Sequence, residues 1–167
     1  MKDMKRLLVI LALACMTVCA YAQKDIPAGG CMEVASAGGD DEFTLYKVKD
    51  KEGIPSFFLS VTDVAFSSDY ELLGVETTFS ALNGSVLYFG ATSEEVMANL
   101  DELLEMFDKP TGTQKEFTCR DGSTALCTLN KSIFGKSLRV GKVSIGKSDI
   151  KSLKSDFKAT KKRYPDL

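Results

Sequence analysis

The chain has no histidine and no tryptophan in 167 residues. The missing histidine excludes most. It removes Ser-His-Asp and Cys-His machinery, the commonest general base near neutral pH, and the ligand sets of most catalytic zinc sites. An enzyme built on this sequence would have to work with carboxylates, lysine, tyrosine or backbone groups. CxxC spacing is also missing, so the cysteines make a poor zinc site. A basic excess is missing too, with 21 lysines and arginines against 23 aspartates and glutamates. That balance argues against a nucleic-acid partner, which calls for cationic surplus to neutralise phosphates. No catalytic residue, metal or cofactor is expected from composition or spacing.

What is present begins with residues 1–22, which have the layout of an export signal. Lys2, Lys5 and Arg6 form a basic start, and Leu7 to Ala20 is an almost unbroken apolar run. Ala20-Tyr21-Ala22 then places small residues where a signal peptidase reads, making Gln23 the expected new N-terminus. The run is 14 residues long, short of the roughly 20 that span a bilayer. A retained anchor, or acylation at Cys15 or Cys19, are the other readings of this stretch. Ala12-Leu13-Ala14 and Met16-Thr17-Val18 are poor lipidation contexts. The protein is therefore expected to be exported, periplasmic or extracellular after cleavage near Ala22. Removing Lys2, Lys5, Arg6 and Asp3 leaves 18 basic and 22 acidic residues, a net charge of −4. No second long apolar run follows, so no transmembrane segment is expected in the mature form.

Five cysteines become three after cleavage: Cys31, Cys119 and Cys127. At most one internal bridge can form, and the candidate pair is Cys119 and Cys127, which flank Arg120-Asp121-Gly122-Ser123. A two-residue loop at Asp121-Gly122 would turn the thiols to opposite faces. A three-residue loop with a bulge would set them diagonally on one face. Buried free thiols are the alternative.

Residues 23–42 are rich in glycine and small side chains and read as a flexible leader, with one short strand at most over 31–35. Residues 43–167 read as a single domain. Strands are expected over 43–48, 57–61 with a continuation over 64–66, 70–82, 85–89, 115–119, 124–129 and 137–145. Asn83-Gly84 is expected to join its flanking strands as a hairpin. Thr92 and Glu95 form a capping box, and Val96, Leu100, Leu103, Leu104 and Phe107 recur at helical spacing. The helix is expected over Ser93–Asp108, stopped by Pro110. Ser148 reads as the cap of a last helix with Ile150, Leu153 and Phe157 on one face. The order gives an α+β fold, a mostly antiparallel sheet with two helices packed on one face. A faint echo relates Gly84–Gly90 to Gly135–Gly141, too thin to establish a duplication.

Gly141-Lys142-Val143-Ser144-Ile145-Gly146-Lys147-Ser148 spells GxxxxGK[ST] and resembles the Walker A motif of P-loop NTPases over those eight residues. The resemblance implies backbone N–H groups on phosphates, with Lys147 and Ser148 at the β/γ-phosphates and magnesium. Only 19 residues follow Ser148, too few for the rest of a doubly wound sheet. The expectation is therefore a chance match around Gly141, Gly146, Lys147 and Ser148. Asp40-Asp41-Glu42 lacks the spaced ligands of a calcium loop. Asn83 and Asn130 begin glycosylation sequons, relevant only in a eukaryotic secretory route.

Charge is distributed unevenly between the helices. The first carries Glu94, Glu95, Asp101, Glu102, Glu105 and Asp108 and no basic residue. The second carries Lys151, Lys154, Lys158, Lys161, Lys162 and Arg163 against Asp149 and Asp156. Opposite fields favour side-by-side packing. A basic face left open would suit an anionic partner. The expected function is a small exported module that binds a protein or an anionic envelope component without chemistry. The alternative is a carboxylate-based hydrolase or an inhibitor-type domain.

Overall fold

The computed structural model describes residues 29–39, 42–61, 67–72, 75–80 and 85–167, with 67–80 described by backbone alone. The export segment, Asp40-Asp41, the expected strand continuation over 64–66 and the Asn83-Gly84 turn lie outside the described residues. Along the chain come β1 (Cys31–Ala37), β2 (Phe43–Lys49), β3 (Pro55–Val61), β4 (Ser67–Leu72), β5 (Val75–Ser80) and β6 (Ser85–Gly90). They are followed by helix α1 (Ser93–Met106), β7 (Gln114–Thr118), β8 (Thr124–Ser132), β9 (Gly135–Val140), β10 (Val143–Ile145) and helix α2 (Lys147–Arg163).

The fold is α+β and antiparallel, as the order of elements requires. The strands divide into two four-stranded sheets, ordered β1-β2-β3-β6 and β10-β9-β8-β7, plus the β4–β5 ribbon. Several local expectations change. β1 is a full strand of seven residues with Val34, Ala35 and Ala37 buried. Residues 31–37 of the expected leader are thus part of the first sheet. The run over 70–82 is two strands paired with each other, Leu72 opposite Val75. β6 pairs with β3, Leu87 opposite Leu59, and among the described residues no β5–β6 pairing is seen. The run over 137–145 is also two strands. Val140 faces Val143 across a turn at Gly141-Lys142, where Gly141 takes φ +58, a left-handed backbone that glycine adopts without steric cost.

β3 explains why the first sheet is central. Every residue after Pro55 in it is buried, which requires cover on both faces. Phe57, Leu59 and Val61 enter the main core, while Phe58 joins a smaller cluster with Val48, Tyr46, Val86, Tyr88 and Cys119. The main core is shared by both sheets and both helices. Phe89 of β6 stacks on Phe117 of β7 with ring centroids 5.3 Å apart, linking the sheets. Phe57 of β3 meets Phe157 of α2 edge to face at 6.0 Å, linking sheet and helix.

The capping box of α1 forms as the sequence prescribes. Thr92 Oγ1 accepts from the Glu95 N–H at 3.2 Å, and Glu95 Oε2 accepts from Thr92 N–H at 3.1 Å and Ala91 N–H at 2.6 Å. At the start of α2 the cap differs from expectation. Gly146 is the N-cap, and its N–H donates to Asp149 Oδ2 at 2.8 Å. Ser148 lies inside the helix. A carboxylate at the third helical position reaches back better than a hydroxyl at the second.

The two helices run antiparallel, and their charges mesh. Lys161 pairs with Glu94 at 2.6 Å, Lys154 with Asp101, and Lys147 with Asp108 at 3.3 Å. Each set repeats every seven residues, close to two helical turns, so three acids and three lysines line facing edges. Glu94 is held below the usual carboxylate range, first by the hydrogen bond from Lys161. Solvent-exposed pairs of this kind contribute little individually. Burial of Val96, Leu100, Leu103, Ile150, Leu153 and Phe157 stabilises the arrangement far more.

Candidate functional site

The six basic residues expected to form one face on α2 have three different roles. Lys154 and Lys161, with Lys147, turn toward α1 and are paired there. Lys151, Lys158 and Lys162 are exposed and have no acidic partner among the described residues. At 100° per residue these three fall within a sector of about 40°, and they span about 16 Å of helix. Arg163 is exposed but stands off that line. On the opposite flank Asp156 Oδ2 accepts the Ser36 N–H at 3.0 Å, tying α2 to β1. The helix thus presents a narrow cationic stripe, rigid because its other sides are packed or paired.

The GxxxxGKS segment is a turn, a strand and a helix start. Val143, Ser144 and Ile145 pair with Val140, Arg139 and Leu138, so the middle of the motif is strand. Gly146 N–H is taken by Asp149, and Lys147 Nζ lies against Asp108 and 5.7 Å from the centre of the Phe107 ring. In place of a phosphate, the helix start meets the chain's own carboxylate.

Cys119 and Cys127 are free thiols, as is Cys31. The β7–β8 loop is the three-residue form: Cys119 N–H donates to Ser123 O at 2.8 Å, and Thr118 faces Thr124. Cys127 faces Lys115, four ladder positions from Cys119, or about 13 Å. That exceeds the roughly 7 Å between Cα atoms that a disulfide spans, so the candidate bridge does not form. Burial pushes the Cys127 thiol up to about 12, against the opposing charge of Lys115, which leaves it an unreactive core side chain.

A concave feature that sequence reading missed is a cleft of roughly 300 Å³ between the sheets, lined by Phe58, Tyr88, Phe117, Cys119, Asp121 and Ser123 among others. Next to the lining residue Asp121, the Arg120 guanidinium donates to Ser56 Oγ at 2.8 Å and lies 3.5 Å from Asp50. Burial raises the Tyr88 phenol above its ordinary value, with Glu95 and Cys119 adding and Arg120 and Ser56 opposing. Its hydroxyl therefore stays protonated at neutral pH. Asp121 is held below the usual carboxylate range by hydrogen bonds from Ser123. The cleft brings together residues from β3, β6 and the β7–β8 loop, a juxtaposition that no local pattern announces.

The fold and these surfaces define an α+β module of two antiparallel sheets clasped by an antiparallel helix pair. Set against known proteins, the chain matches no family, no curated protein and no solved structure.

Proposed function

We propose that this protein is an exported, non-catalytic interaction module of the cell envelope that holds an anionic partner on the Lys151, Lys158 and Lys162 stripe. One observation carries the reading: these lysines are exposed without acidic partners among the described residues, on a helix whose other lysines are committed to α1. The hydrolase alternative is not favoured by the carboxyl groups. Carboxylate hydrolysis pairs two acids with one pKa raised. Glu94 and Asp121 are instead both lowered, by Lys161 and Ser123 respectively.

The test is retention of envelope components on the immobilised protein. Lys151→Glu/Lys158→Glu/Lys162→Glu, which leaves every core residue and every helix–helix pair in place, is expected to cut retention at least tenfold. Salt at 1 M, where the Debye length falls to about 3 Å, is expected to do the same. Equal retention by the variant removes the stripe from the function. The export half is checked separately by intact mass of the protein recovered from its producing cell. A species starting at Gln23 is expected, and a species that keeps residues 1–22 or carries a lipid at Cys15 defeats it.

A further inference from the structure

The β8–β9 hairpin ends in a two-residue turn, Ile133-Phe134, and both side chains are 93% exposed. The next most exposed large apolar side chains among the described residues are Leu126 at 45% and Ile54 at 41%. The tip is an ordered structure. Ser132 pairs with Gly135, and the Ser132 hydroxyl accepts the Phe134 N–H at 3.2 Å and lies 3.3 Å from Gly135 O. Lys136 Nζ donates to Phe107 O and Lys109 O, both at 2.8 Å, anchoring the base of the hairpin to the end of α1. Every residue from Lys131 to Lys136 is exposed, so the hairpin projects past the core. Turn chemistry favours Asn, Asp and Gly at such a position. The sequence instead places there the two most exposed large apolar side chains among the described residues.

The surrounding charge names the occupant. Residues 122–148 contain no acid and five cations; of these, Lys131 and Lys136 flank the tip, while Lys147 is paired with Asp108 and Lys142 lies in the turn at the far end of β9. The whole chain is net negative, so this is a local bias. Lys131 sits directly opposite Lys136; Lys136 is held on the carbonyls at the end of α1, whereas Lys131 is exposed with no acidic partner among the described residues. An aromatic and a branched aliphatic residue at a point, with cations at its base, match the boundary of a bilayer with anionic headgroups. There the rings and methyls enter the acyl edge and the ammonium groups meet phosphate. A second copy of the chain would bring two such basic collars together. We infer that the β8–β9 tip inserts Ile133 and Phe134 into the interface of an anionic membrane. This surface is distinct from the α2 stripe, and the inference stands without it.

The absence of tryptophan makes the test clean. Phe134→Trp in the full chain carries the only indole and serves as the tip reporter, and Ile54→Trp serves as a control reporter on a distant turn. Both reporters are read in the same protein background, so that only their positions differ. Vesicles of phosphatidylcholine and phosphatidylglycerol at 7:3 are expected to shift the emission of the tip reporter to shorter wavelength. Acyl-brominated lipid is expected to quench the tip reporter and to leave the control reporter unchanged. Adding Lys131→Glu to the Phe134→Trp protein is expected to raise the lipid concentration needed about tenfold, because a cation near the anionic surface is replaced by an anion. An unmoved tip emission overturns the inference, as does equal insertion into pure phosphatidylcholine or equal quenching of the control reporter. A shift produced by membrane-free extract, or by protein concentration alone, also overturns it and assigns the tip to a protein partner or a second copy.

Discussion

Gly90→Val is expected to destabilise the protein by about 3–5 kcal/mol, combining backbone strain with loss of a helix cap. Gly90 ends β6 at φ +114, a conformation that side chains rarely adopt. A Cβ there would stand 2.5 Å from Glu95 Cβ and 2.6 Å from its Oε2. That same oxygen accepts the N–H groups of Ala91 and Thr92, so relieving the clash opens the capping box. The urea midpoint should fall by roughly 1–3 M. Glu95→Ala alone should cost about 1 kcal/mol. In a double-mutant cycle the pair should cost less than the two singles together, because alanine removes the Glu95 Oε2 and Cδ that the valine strikes and the cap is lost only once, although the Cβ contact remains. Strict additivity would show that the cost lies in the backbone and the Cβ contact rather than in the carboxylate.

Phe157→Ala is expected to cost about 3–5 kcal/mol in its own right. Its ring is fully buried and meets Phe57 edge to face at 6.0 Å, where α2 crosses the first sheet. Truncation leaves a cavity bounded by β3 and α2, two elements too rigid to close it. Thermal unfolding should show a midpoint about 10 °C lower. Phe157→Leu, which keeps most of the volume, should cost less than half as much. If alanine proves as mild as leucine, α2 is not held by this contact.

The legible parts of the fold were those encoded within one turn or one period. α1 declares its start through Thr92 and Glu95 and its buried face through Val96, Leu100 and Leu103. The helix pair was readable from charge, because acids and lysines segregate between two segments. Pairing across distance was not readable. β6 has an Asn-Gly signal toward β5 yet pairs with β3, where Leu87 faces Leu59 and Tyr88 faces Phe58. The turn at Gly141-Lys142 was hidden inside a phosphate-loop spelling, since one glycine serves either purpose. Of the expected basic face, residue type was legible and direction was not. Lys151 and Lys154 differ by only three positions, yet one faces solvent and the other Asp101. The cleft at Tyr88 and Phe117 left no local trace, because its walls meet only after the two sheets have packed.

The contact between Asp156 and Ser36 has a consequence for the order of assembly. The second sheet joins consecutive strands through short turns, so its closure entropy is small and it can form early. The first sheet closes only across the β4–β5 insertion. Its outer edge, β1, is met by α2 through a hydrogen bond spanning 120 residues. Until α2 docks, β1 offers an unpaired row of backbone donors and acceptors to any strand nearby. The last helix therefore acts as the guard of the first strand, and a chain interrupted before residue 156 would carry that edge uncovered.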